Sequence, residues 1–349
     1  MKAKKIGIML SLLIFAAVVI AVSLYTFVLP QPTRTYPLPH WPKELIIRAA
    51  SVGTPSYVYM SMIAELIEKN LGIKTTVQPG GAVANLVAAT KGEADLVYIN
   101  EFFIPLYAEP ALREKIGLEA VDLSKVALVA GGVERNYCAM TATDERIPAD
   151  TFAELAQLVK QGYPLSIIMA GPPKTIDEYV FRALFTKYGI DFDKLQIPMP
   201  GQDAGWQALT EGKANVVIDC HGIPTSSVVE AATRKSDIKP IFFSDDDISY
   251  LLNYFTPNAL RKHAISGGTY SFLKRDYMTV CAYTAIIVRS DLPEDLVYEI
   301  TKLIAEHQQE ISKSVASFEY NPSDAWKFGG GLPLHRGAEK YYVEKGYKK

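Results

Sequence analysis

The strongest constraint on this chain is that it resembles itself. Gly53, Pro55, Leu66 and Lys69 recur as Gly171, Pro173, Leu184 and Lys187 at an offset of 118. At an offset of 120, Gly81, Ala84, Ala88, Thr90, Gly92, Ala94 and Val97 recur as Gly201, Ala204, Ala208, Thr210, Gly212, Ala214 and Val217. The matches fall on the same succession of elements. In the first copy Leu45–Ala50 reads as a buried strand and Gly53-Thr54-Pro55 as a turn, followed by a helix through Leu66–Lys69. Lys74–Gln78 is a second strand, Gly80-Gly81 opens a helix to about Lys91, and Asp95–Ile99 is a third strand. The second copy runs strand Leu165–Met169, turn Gly171-Pro172-Pro173, helix Ile176–Lys187, strand Leu195–Ile197, turn Gly201, helix Ala204–Glu211 and strand Asn215–Ile218. This alternation predicts an α/β fold with mainly parallel strands.

Two long copies are too few for a solenoid. They predict two similar lobes joined by a strand hinge, with a ligand held beyond the carboxyl ends of the strands and enclosed by lobe closure. Val126–Ala130, Gly131-Gly132 and Asn136–Thr141 read as the passage out of the first lobe, and Met278–Arg289 as the return. The expected lobes are residues 44–135 with 280–349, and residues 136–279. Asp291 is expected to cap a helix running to about Glu310.

The N-terminus constrains location. Lys2, Lys4 and Lys5 precede the uncharged stretch Ile6–Leu29, 24 residues long. As a helix it would span roughly 36 Å, enough for a bilayer core of about 30 Å. Residues 1–30 are therefore expected to be a transmembrane anchor, or a signal segment cleaved near Ala21-Val22-Ser23. The lysines would remain inside and the rest outside. Residues 31–43, proline-rich, read as an extended tether. The net charge of −2 supplies no basic excess for nucleic acid. Cys138, Cys220 and Cys281 are odd in number and widely spaced, form no zinc-like pattern, and read as buried free thiols.

Turns that lead from a strand into a helix present unsatisfied N–H groups and the positive end of a helix dipole, which suits an anionic ligand. Such turns lie at Ser51–Tyr57, Gly80–Asn85 and Gly171–Asp177. The candidate ligand-binding residues are Ser51, Thr54, Tyr57, Gly80, Gly81, Asn85 and Glu101 in the first lobe. Thr175, Asp177, Asp219, His221 and Thr225 are their counterparts in the second. No GxSxG, P-loop, GxGxxG or HExxH is present, and no metal or cofactor is expected. His263 and His335 sit in basic stretches expected to be exposed, and Asp245-Asp246-Asp247 reads as an acidic loop. An extracytoplasmic enzyme would have to centre on Asp219 and His221.

Three stretches carry a family resemblance. Gly331-Leu-Pro-Leu-His-Arg-Gly-Ala-Glu-Lys-Tyr-Tyr-Val-Glu-Lys-Gly346 closely resembles the ending of the TAXI family, the solute-binding proteins of tripartite ATP-independent periplasmic (TRAP) transporters. Gly80-Gly-Ala-Val-Ala-Asn-Leu with Gly92-Glu-Ala-Asp95, and Val288–Lys302, are similar to other parts of that family. The resemblance implies a type II periplasmic-binding-protein fold, a small organic-acid or amino-acid ligand, and an ion-driven integral-membrane permease as partner. The protein is expected to be a monomer and not an enzyme; a sensor ectodomain of the same fold is the alternative. Tyr57 and Asn85 match the family's turns, whereas Lys174-Thr-Ile-Asp177 replaces its Gly-Ser-Gly-Thr.

Overall fold

The computed structural model describes residues 36–115, 118–171, 173–255 and 259–349. The chain divides into two units, Met1–Pro39 and His40–Lys349. Only residues 36–39 of the first unit are described, so the expected anchor Ile6–Leu29 and residues 31–35 of the tether lie outside the described residues. Among the described residues no helix is long and apolar enough to cross a membrane.

The second unit begins β1 (Glu44–Arg48), α1 (Pro55–Leu71), β2 (Lys74–Gln78), α2 (Ala82–Thr90) and β3 (Leu96–Asn100). Two short helices follow, α3 (Phe103–Ala108) and α4 (Pro110–Lys115), then β4 (Val126–Ala130) and β5 (Arg135–Asp144). The middle of the chain forms α5 (Phe152–Lys160), β6 (Ile167–Met169), α6 (Ile176–Lys187), α7 (Gln202–Thr210), β7 (Val216–His221), α8 (Ser226–Arg234), β8 (Ile238–Ile241), α9 (Asp245–Tyr254) and β9 (Arg261–Ile265). Last come β10 (Tyr277–Arg289), α10 (Glu294–Glu306), α11 (Gln308–Ser314) and α12 (Arg336–Glu344).

The internal duplication appears as repeated topology. In the first lobe β1 is parallel to β2 and β3, and β10 lies antiparallel between β3 and β4. In the second, β6 is parallel to β7, and β5 lies antiparallel between β7 and β8. Each lobe thus receives its antiparallel strand from a segment that crosses between them. β10 makes the crossing visible: residues 277–281 pair with β9, and residues 284–288 pair with β3. Strands buried on both faces must be apolar throughout, and β3 and β4 have no exposed residue.

Several sequence expectations are corrected. Leu195–Ile197 is not a strand; Phe192–Leu195 forms a 3-10 turn. Pro198 and Pro200 lack N–H donors and could not serve a ladder, and the bond from Met169 N to Pro198 O at 3.0 Å lies outside any ladder. Asp291 does not cap α10, because its carboxylate pairs with Arg289 and Pro293 holds the cap position. Asp245-Asp246-Asp247 is the first turn of α9, with Asp247 buried and closing a capping box with Ser244. His335 is buried and caps α12, accepting from Gly337 N at 3.2 Å. The thiol expectation fails for two cysteines: Cys138 and Cys281 face each other across β5 and β10 and form a disulfide. Only Cys220 remains a buried free thiol.

Candidate functional site

The first turn is a capped helix start. The Thr54 side chain accepts from Tyr57 N at 3.2 Å and donates to Ser51 O at 2.7 Å. Ser51 is exposed and Tyr57 half-buried. Two of the candidate side-chain groups, those of Thr54 and Asn85, are therefore committed to backbone partners. Asn85 is fully buried at the start of α2, and its Nδ2 donates to Ala49 O at 2.9 Å and Tyr98 O at 3.1 Å, linking the carboxyl ends of β1 and β3. Its Oδ1 is buried without a hydrogen-bond partner. Gly80 makes room for it, since a Cβ there would stand 2.1 Å from Asn85 Oδ1. Gly81 holds the cap position of α2, with open space around it.

The second lobe repeats the device with a charge. A Cβ on Gly171 would lie 2.2 Å from Asp177 Cγ, so the glycine again admits a buried polar side chain at a helix start. Asp177 accepts from Cys220 N at 2.7 Å and from Thr175 Oγ1 at 3.0 Å, tying α6 to the end of β7. Asp219 accepts from Trp206 Nε1 at 2.6 Å and lies 2.8 Å from His221 Nδ1, while its Oδ1 is buried and unpartnered. His221 Nε2 is 3.1 Å from the Tyr270 hydroxyl, which also accepts from Thr225 N at 3.1 Å. Asp219, His221 and Thr225 are thus brought together through Tyr270. Burial raises the Tyr270 hydroxyl above its ordinary range.

Glu101 sits elsewhere. It accepts from Gly132 N and pairs with Arg261 of β9, and its neighbour Phe102 stacks on Tyr179 at 6.1 Å and meets Phe255 at 4.9 Å. Its carboxylate is already occupied. No local signal joins it to Arg261 in the sequence.

Other contributors were not among the candidates. Ser56, one residue into α1, donates to Glu134 at the start of the crossing, and Ser317 donates to the same carboxylate at 3.1 Å. Tyr137, at φ 50°, lies against Tyr98 of β3 and within the field of Asp177. A buried polar string therefore runs from Ser56 and Tyr98, through Glu134 and Tyr137, to Asp177 and Asp219. Arg48, which ends β1, is half-buried with its Nε buried and unpartnered, and among the described residues it enters no ion pair. A lone arginine closing an apolar strand was the available sequence signal.

Burial pushes the Glu134 carboxyl up to about 7, and burial with the charge of Asp219 pushes Asp177 up to about 8. Burial and the field of Asp177 raise Tyr137 to about 12, and burial with both aspartates lifts the Cys220 thiol. The folded protein keeps protons that the unfolded chain has lost above the ordinary carboxylate range, so its stability falls as pH rises toward 8. Chemical denaturation of the ligand-free protein is expected to show a higher midpoint at pH 5.5 than at pH 8.5. The difference should be on the order of a few kcal/mol, and Asp177→Asn should remove much of it. A flat profile would contradict the burial of these acids.

Two lobes exchanging antiparallel strands, with buried polar side chains at the carboxyl ends of the parallel strands in each, define the two-lobe type II periplasmic-binding-protein fold. A TctC solute-binding protein from Polaromonas shares it, at 15% identity over 89% of this chain and 99% of that one, with a TM-score of 0.53. The chain belongs to the NMT1-like family, whose sequence model matches residues 47–346. Other similar structures are MatC from Rhodopseudomonas palustris with bound malate, 15% identical over 89% and 98% of the chains at a TM-score of 0.47. PhnD1 from Prochlorococcus marinus in complex with methylphosphonate is 10% identical over 88% and 99%, at 0.49.

Proposed function

We propose that this chain is an extracytoplasmic, non-enzymatic solute-binding protein that captures a small organic acid or amino acid between its lobes and delivers it to a TRAP-type permease. The observation that carries the reading is the repeated device at the strand ends: Asn85 over Gly80 in one lobe and Asp177 over Gly171 in the other. Buried atoms without partners accompany it, namely Asn85 Oδ1, Asn100 Nδ2, Asp219 Oδ1 and Arg48 Nε. Buried polar atoms are normally satisfied, so such exceptions at or near the strand ends suit a bound solute. Arg48 is the counter-charge for the solute's acid group.

In this reading the lobes are residues 44–135 with 280–349, and residues 136–279. Residues 1–30 act as anchor or signal, and the protein works as a monomer outside the membrane. The Cys138–Cys281 disulfide supports an oxidising compartment, and the resemblance of the C-terminal segment to the TAXI family supports the permease partner. Isothermal titration of the full-length protein against a panel of organic and amino acids tests the reading. Arg48→Gln is expected to weaken acid binding by about 10–100-fold, the worth of one charge-assisted hydrogen bond. Unchanged affinity would remove Arg48 from the site, and no binding across the panel would defeat the proposal.

A further inference from the structure

We propose that the bound solute carries a protonated nitrogen, and that Asp177, with Asp219 behind it, is the counter-charge that receives it. The inference rests on the solute-binding reading and deepens it, from an acid or amino acid to a solute bearing both charges.

Three buried carboxyls, Glu134, Asp177 and Asp219, share the polar string, and among the described residues none pairs with a lysine or arginine. Among the described residues Glu134 receives hydroxyls, Asp177 a hydroxyl and a backbone N–H, and Asp219 an indole N–H and, at 3.5 Å, the Gln202 amide, beside the His221 ring. Buried acids without a cation are expensive, and proteins normally pair them. Elsewhere this chain does so: Glu101 has Arg261, and Asp247 has Lys187.

The groups facing Asp177 keep this asymmetry. β7 presents Cys220 and Asp219, and the crossing strand presents Tyr137, with Glu134 adding its field there. On its own helix Glu178 is taken by Arg182, and Lys174 in the preceding turn is exposed and enters no ion pair among the described residues. The unpartnered acceptors Asn85 Oδ1 and Asp219 Oδ1 also ask for a donor. Without a solute, Asp177 meets the cost of burial by holding a proton. A neutral carboxyl could instead donate to a solute carboxylate, and the two cases differ in sign. An incoming cation expels the proton, whereas an incoming anion retains it and draws protons in.

Titration calorimetry on the full-length protein at pH 7, repeated in buffers of different ionisation enthalpy, measures that sign. The probes are pairs differing only in the nitrogen: L-glutamate with glutarate, γ-aminobutyrate with butyrate, and L-alanine with propionate. At least one aminated member is expected to bind tenfold or more tighter than its partner, releasing between about half and one proton per solute. Asp177→Asn, which keeps the side-chain shape, should abolish both the preference and the release while retaining a cooperative thermal transition. Equal or tighter binding of the deaminated members, or proton uptake, overturns this inference and leaves the solute-binding reading standing. Failure of all six probes defeats both.

Discussion

Gly337→Ala is expected to cost this protein about 3 kcal/mol or more, because no side-chain movement can make room for the added methyl group. Gly337 lies in the first turn of α12 where that helix crosses α10. A Cβ there would stand 2.0 Å from Glu294 O and 2.6 Å from Tyr298 N, both backbone atoms. The helices would have to separate, and the surrounding contacts depend on their approach. Tyr298 meets Tyr341 at 5.7 Å, and His335 caps α12 while reaching Leu292 O at 3.1 Å. Gly222→Ala is the control, since its Cβ would meet only Asn136 Oδ1 at 3.5 Å. Denaturant midpoints of the two variants should differ widely. Equal midpoints would mean that the helices do not approach this closely.

The second large effect concerns the crossing strands. Replacing Cys138 and Cys281 together with serine is expected to lower stability by about 2–4 kcal/mol, since the bond closes a long loop and restricts the unfolded chain. The two residues are 143 positions apart, one in each strand that passes between lobes, so the bond also holds those strands in register. Thiol titration after denaturation is expected to find one reactive thiol without reductant, that of Cys220, and three with it. Three thiols in the unreduced protein isolated from an oxidising compartment would remove the disulfide from the account. Loss of the bond without loss of stability would confine its role to the hinge.

The places of Asn85 and Asp177 at helix starts are readable because each follows a glycine turn that opens a helix, a pattern with local causes. The glycine's purpose was less readable. Gly80 and Gly171 are needed because a particular side chain folds back over each, and only coordinates reveal a Cβ collision near 2 Å. Thr54 shows the limit of residue type as a guide: a threonine before a helix serves equally as cap and as ligand donor, and here it caps. For His335 a basic neighbourhood suggests exposure, whereas the ring is buried between α12 and the residues before α10.

By itself the sequence determined the α/β class, the two-copy architecture and the two crossing segments, since hydrophobic period and turn chemistry are local and recur at a constant offset. It could not determine which distant residues meet. Ser56 with Glu134, Glu101 with Arg261, and Cys138 with Cys281 are pairings set by the register and angle of strands exchanged between lobes. Those pairings decide which carboxylates have a basic partner and which, like Asp177, have no lysine or arginine beside them among the described residues.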